Sequence, residues 1–181
     1  MLLARTRKAR HIADMSKLSP RIVCLICAIA ASAALGIALA SEYWGGLVPC
    51  ALCLWERVPY RWAIGLSVVG FVLPGNFQLR RWMLLLVLLA VMAAAGLAFV
   101  HVGVELGYWP SPLPECAAPV LGGGTMAERL ARMPARPAKP CDEPTYLIPA
   151  IPLSMASMNM IFATALALGL AVAIVRERRV G

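Results

Sequence analysis

Cys50 and Cys53 are separated only by Ala51 and Leu52, and the next helical turn brings Glu56 and Arg57. Two thiols at this spacing close a very small ring when oxidised. Chain entropy then gives the bond little structural value, and thiol–disulfide exchange is the better use of the pair. At the start of a helix, Cys53 would feel unpaired backbone N–H groups and a partial positive charge, which favour the thiolate that attacks disulfides and gives up electrons. Arg57, four residues beyond Cys53, would reinforce this. Two further cysteines, Cys116 and Cys141, lie far along the chain. If joined, they would close a loop of about 26 residues, worth about 3.5 kcal/mol by chain entropy. The prolines and glycines around them offer no core for a staple to secure, so a disulfide there is expected to be accessible and to exchange with a partner.

The elements that must position these residues follow from composition. The chain is 61% hydrophobic, with 17 basic and 9 acidic residues in 181, and its mean hydropathy is +0.76. No single soluble core hides that much apolar surface, which predicts an all-α integral membrane protein. Apolar stretches at residues 22–40, 58–73, 82–100 and 153–175 predict a bundle of four transmembrane helices. The second is the shortest, because Arg57 and Arg61 fall in its first turns. One membrane domain then covers residues 1–181, with two redox loops, residues 41–57 and 101–152, on the same side.

Basic residues orient the bundle, since cytoplasmic segments carry the Lys/Arg excess. Arg5, Arg7, Lys8, Arg10, Lys17, Arg21, Arg80, Arg81, Arg176, Arg178 and Arg179 fall on the side of the termini, which predicts that both termini are cytoplasmic. The net charge of +8 is thus mainly a topology signal. It gives little reason for nucleic-acid binding, since no basic run is interleaved with aromatics. Ala38-Leu39-Ala40 before Ser41 resembles a signal-cleavage pattern, but the apolar stretch ahead of it is longer than a usual signal core, which favours a retained span.

Residues 101–152 hold most of the prolines and Gly122-Gly123-Gly124. Within them Met126, Leu130 and Met133 share a helical face, which predicts a short helix lying on the membrane surface. Trp44, Trp55, Tyr60, Trp62, Tyr108 and Trp109 are expected at the outer boundary, where amphipathic rings settle. Cys24 and Cys27 repeat the two-residue spacing inside an apolar helix near its cytoplasmic end, and there they are expected to be packing residues. Met155, Met158 and Met160 are likewise expected to pack. Zinc held by Cys50, Cys53, Cys116 and Cys141 is disfavoured outside the cytoplasm, where thiols oxidise, so no metal is expected.

Cys50-Ala51-Leu52-Cys53-Leu54-Trp55-Glu56-Arg57, the four spans, His101 at the end of the third, Tyr108-Trp109-Pro110-Ser111-Pro112 leading to Cys116, and Cys141 beyond it resemble the DsbB family of disulfide bond formation proteins. The likeness runs from about Ile22 to Cys141. It weakens at Pro144-Thr145-Tyr146-Leu147-Ile148-Pro149, which lacks the aromatic and Leu-Gly-Leu approach to the last helix. The resemblance implies a protein-disulfide oxidoreductase of the bacterial inner membrane with its redox cysteines facing the periplasm. A disulfide between Cys116 and Cys141 would accept electrons from a reduced, thioredoxin-fold, DsbA-like partner, with Cys116 forming the mixed disulfide. Cys141 would exchange with Cys50, and Cys53 would pass electrons to a membrane quinone, ubiquinone or menaquinone. Arg57, His101 and Glu56 would surround the quinone, with Glu56 and Glu105 balancing Arg57. Two rivals stand beside this reading. One is a four-span scaffold with structural disulfides, and the other is a carrier moving reductant outward through Cys24 and Cys27.

Overall fold

The computed structural model describes residues 19–73, 77–116, 125–131, 139–148, 150 and 152–178. Its helices are α1 (Pro20–Tyr43), α2 (Ala51–Val72), α3 (Phe77–Glu105), α4 (Met126–Ala131) and α5 (Met155–Arg178), with a 3-10 turn at Pro114–Cys116. Among the described residues there is no strand, only an isolated bridge between Tyr146 and Ser154. The expected all-α class is observed.

Three helices, α1, α3 and α5, are long and apolar enough to cross a membrane. The second expected span is a helix too, but Glu56, Arg57 and Arg61 interrupt its apolar character, so α2 does not join them on length and composition. It packs along both α1 and α3, α3 packs along α5, and α1 touches α3 and α5 more lightly. Small residues line the interior: Ala31, Ala94, Ala98 and Ala163 are fully buried, while Ile29, Leu89, Phe99 and Leu168 are turned outward. A water-soluble bundle would bury the large side chains. Small residues at the contacts let helices approach closely where lipid, not water, surrounds them.

Local chemistry sets the helix ends. Ser19 caps α1, accepting the N–H of Ile22 at 3.4 Å, and Pro20 starts the helix where its missing N–H is harmless. Ala38-Leu39-Ala40, the possible cleavage pattern, lies inside this continuous helix. Gly46, at φ +65°, helps turn the chain from α1 toward α2. At the far end of α2, the buried Arg80 of α3 donates to the carbonyls of Gly70 at 3.0 Å and Leu73 at 2.7 Å. A cation satisfying the last carbonyls of a helix also suits the negative end of its dipole. Beside this cap, a Cβ on Gly70 would lie 2.9 Å from the sulfur of Cys24. Cys24 and Cys27 are buried in the apolar core shared by the long helices, in keeping with a packing role.

The surface helix expected around Met126 is α4, capped reciprocally by Thr125 and Glu128; Met133 lies outside the described residues. Residues 1–18 and 179–181, with their basic side chains, and Gly122-Gly123-Gly124 also lie outside them. Tyr60 corrects an expectation. Expected among aromatics settled against lipid headgroups, it is turned into the bundle and only 4% exposed, whereas Trp44, Trp55, Trp62 and Tyr108 are exposed.

The loop after α3 is pinned by one ring. Gly107, at φ +70°, ends the helix, Tyr108 N–H returns to the Gly103 carbonyl at 2.9 Å, and Trp109 Nε1 donates to Val100 at 3.0 Å. The indole lies on Gly103, where a Cβ would fall 1.9 Å from a ring carbon. Gly103→Ala should therefore destabilise the protein by about 1–3 kcal/mol through overpacking. Thermal unfolding in detergent checks this, and an unchanged or higher midpoint would show that Trp109 is not seated there.

Candidate functional site

Cys50 is the N-cap of α2. Its backbone is extended, at φ −78° and ψ 172°, and its sulfur accepts the N–H of Cys53 at 3.2 Å. Sulfur thus stands where a Ser or Asp oxygen usually does. The sulfurs of Cys50 and Cys53 lie 2.8 Å apart and unbonded, so a small movement closes the disulfide. The thiol of Cys50 is held below its ordinary value, first by the hydrogen bond that Cys53 donates to the thiolate. The N–H groups of Cys53 and Leu52 assist, while burial and the Glu56 carboxylate oppose. The helix start was expected to favour a thiolate at Cys53. It favours Cys50 instead, because the cap residue, one turn earlier, receives the N–H groups. Arg57 does not reinforce either sulfur in the expected way, since its guanidinium is committed to Glu42 and the Ala38 carbonyl.

Cys116 and Cys141 form a disulfide. They were expected to be accessible in a loop without a core, but Cys116 is 4% and Cys141 1% exposed. Together with Cys50, Leu52 and Val104 they make a second small core, closed by Trp109 and Leu113. Anchoring by Trp109 and the bond from Cys141 N–H to the Cys116 carbonyl at 3.4 Å hold the disulfide against the start of α2. Cys50, Cys53, Cys116 and Cys141 therefore share one place, and Cys24 and Cys27 belong to another.

Behind the pair runs a line of hydrogen bonds. Cys50 Sγ lies 3.5 Å from His101 Nε2, and His101 Nδ1 lies 2.7 Å from Glu56 Oε1. Asn159 Nδ2 of α5 donates to Glu56 Oε2 at 2.7 Å, and Tyr60 Oη donates to Asn159 Oδ1 at 2.6 Å. Sequence reading expected Glu56 and Glu105 to balance Arg57. Neither does: Glu42, at the end of α1, ion-pairs with Arg57, and Glu105 accepts from Ser154, the residue before α5. Opposite charges side by side are easy to read in a sequence, whereas a partner on another helix is not.

A cavity of about 230 Å³ opens between α1, α2 and α5, with Cys53, Glu56, Arg57 and Tyr60 on one wall. Asn159, Met155 and Met158 of α5 form part of another, so the last two are cavity-lining residues as well as packing ones. His101 does not line the cavity; it stands behind Glu56. Arg57 Nε faces no hydrogen-bond partner among the described residues although it is buried. A soft cation is a poor occupant of the thiol pair. Cys50, Cys53 and His101 bring ligand atoms within 4.8 Å of one another. However, tetrahedral bonds of about 2.3 Å would set two sulfurs about 3.8 Å apart, wider than the 2.8 Å found. Cys116 and Cys141 have bonded to each other, so the four-thiolate zinc arrangement does not form.

Residues 20–173 match the family model described as disulfide bond formation protein DsbB. An uncharacterized protein of Rickettsia prowazekii is 28% identical over 130 residues, covering 71% of this chain and 72% of that protein. Disulfide bond formation protein B of Acinetobacter baumannii is 30% identical over 115 residues, 60% of each chain. The protein of that name from Actinobacillus pleuropneumoniae is 34% identical over 96 residues, 53% of this chain and 52% of its own. The matches thus span only part of the curated proteins that carry that name. No solved structure matches the chain.

The acidity of Cys50 is open to measurement. With the pair reduced, alkylation of Cys50 should reach its midpoint below the ordinary thiol value of about 8.5. Cys53→Ala should move that midpoint upward by removing the strongest of the acid-strengthening contacts. Mass spectrometry of alkylated peptides across pH reads both, and a Cys50 midpoint at or above the ordinary value would contradict the assignment.

Proposed function

Because the chain belongs to the DsbB family of disulfide bond formation proteins, we propose that it is a membrane thiol oxidase that takes electrons from a reduced, DsbA-like periplasmic protein and gives them to a membrane quinone. In this reading α2 is the fourth span, the protein sits in the bacterial inner membrane with both termini cytoplasmic, and the four outer cysteines face the periplasm. The observation that carries the reading is the position of Cys53. Its side chain lines an apolar cavity, while its partner Cys50 packs against a second disulfide.

The electron path follows from that arrangement. A thiolate of the donor attacks the Cys116–Cys141 disulfide, with Cys116 entering the mixed disulfide, and the second donor thiol releases it. The donor is oxidised, and Cys116 and Cys141 are reduced. Cys141 then attacks Cys50, and resolution by Cys116 remakes the outer disulfide and leaves Cys50 and Cys53 as the dithiol. Their reoxidation sends two electrons and two protons to the quinone, which leaves as quinol into the lipid.

The residues at the cavity suit a quinone head group. Cavities of about 150 Å³ admit a benzene ring, so 230 Å³ holds a substituted one. Arg57, held by Glu42, brings a cation to a wall that is otherwise mostly apolar. Ubiquinone and menaquinone share that carbonyl chemistry. The outward carrier of reductant draws no support from the fold, since Cys24 and Cys27 lie in a separate core from the outer thiols.

Purified protein in detergent, given a reduced DsbA-like donor and either quinone, should consume quinone only when donor is present. Cys50→Ser or Cys53→Ser should abolish this, and Arg57→Ala should raise the quinone concentration needed for half-maximal rate. Replacing Cys24 and Cys27 by Ala should leave turnover intact. Absence of donor-dependent quinone loss with a competent donor, or normal turnover in either serine variant, would overturn the reading.

A further inference from the structure

Oxidation of the dithiol releases two protons, and the quinone must gain two. Cys53 lines the cavity and can hand its proton over directly, but Cys50 does not line it. The proton of Cys50 needs a carrier. His101 Nε2, 3.5 Å from the Cys50 sulfur, is placed to accept it, and His101 is itself buried and away from the cavity. The opposite ring nitrogen, Nδ1, faces Glu56 Oε1 at 2.7 Å, so a proton gained at Nε2 is matched by one given up at Nδ1. Glu56 both hydrogen-bonds His101 and lines the cavity.

Resting on the quinone-reducing reading, we propose that Glu56 carries the Cys50 proton from His101 to the quinone oxygen, and that Asn159 and Tyr60 are the positioning residues that hold Glu56 in this line. The step balances. Cys50 gives its proton to His101 and stands as the thiolate that Cys53 hydrogen-bonds, and sulfur–sulfur bond formation then breaks the Cys53 S–H bond and releases two electrons to the quinone ring. One proton passes from Cys53 to a quinone oxygen directly, and the other passes from Cys50 through His101 and Glu56. Glu56 ends in its starting state, His101 ends as the opposite neutral tautomer and is reset between turnovers by returning its ring proton from Nε2 to Nδ1, and quinol carries away both protons.

Asn159 does not itself conduct. Its amide donates to Glu56 Oε2, leaving Oε1 turned to His101, and Tyr60 fixes the amide by donating to its oxygen. Asn159 lies on α5, and Glu56 and Tyr60 lie on α2, so the last helix takes part in the reaction through this one amide.

The test uses full-length protein in detergent, with reduced donor and a water-soluble ubiquinone analogue, and measures kcat and KM for quinone in H2O and D2O. Glu56→Gln should lower kcat by about 100-fold, the usual scale of one acid–base group, and Glu56→Asp, which keeps a carboxyl, should recover part of the loss. Asn159→Ala and Tyr60→Phe should each lower kcat on the order of tenfold, as loss of positioning does, and should increase the solvent isotope effect on kcat. A purely structural role would lower folded yield or raise KM and leave the isotope effect alone. If Glu56→Gln does not fold, Tyr60→Phe, which removes a single oxygen, decides the question. Wild-type protein that reduces quinone alongside a Glu56→Gln variant with undiminished kcat would overturn this inference only. Unaltered isotope effects in both Asn159→Ala and Tyr60→Phe would remove the positioning role. Failure of the wild type to reduce quinone would overturn the functional reading and this inference with it.

Discussion

A carboxylate inside a helical bundle must be paired, and the arrangement of this protein turns on how Glu56 meets that demand. One oxygen is held by His101 on α3 and the other by Asn159 on α5. Removing one partner of a buried ion pair commonly costs about 3–5 kcal/mol, because the remaining charge stays desolvated. The position of α2 between its neighbours is therefore set by directional bonds as well as by apolar packing. One residue further on, Arg57 ties α2 to Glu42 of α1. The four long helices are thus joined at a single level, one turn below the thiols of Cys50 and Cys53.

The other end is built differently. There Arg80 closes the last carbonyls of α2, and Gly70 lets Cys24 and Met83 come close to the backbone. The interior between the ends is mostly alanine, valine and leucine. Charged and polar side chains that would disturb such a core are concentrated where they can reach one another. This division explains why two Cys-x-x-Cys sequences on neighbouring helices differ so much. Cys50 sits at a helix start among N–H groups and polar side chains, whereas Cys24 is a small filler in a tight helix contact.

Much of this was legible in the sequence, and the limits have physical causes. Apolar runs located the cores of α1, α3 and α5; α1 and α3 extend beyond their runs at both ends, whereas α5 begins inside its run at Met155 and passes its far end. The second apolar run starts only at residue 58, although the helix begins at Ala51, close to the start expected near Cys53. Hydropathy discounts Glu56 and Arg57 as though each stood alone, while the fold supplies each with a partner. The same blindness hid Asn159, a polar residue in a mostly apolar run, and Tyr60, which looked like a boundary aromatic. A three-residue search for polar groups one helical turn apart would not find them, since Glu56 and Asn159 are 103 positions apart. Cys116 and Cys141 were visible as a pair, but their burial depends on Trp109 seated over Gly103.

That seat has a consequence for selectivity among reductants. With Cys116 and Cys141 almost wholly covered, a small thiol in solution meets neither sulfur while the cluster stays closed. Exposing them means lifting part of a small apolar core, and a diffusing tripeptide has no surface with which to offset that work. A protein that binds the loop does. For a thiol oxidase of the kind proposed, the cover over the disulfide would therefore sort electron donors by whether they can dock, so that a thiol of ample reducing power is still turned away if it is small.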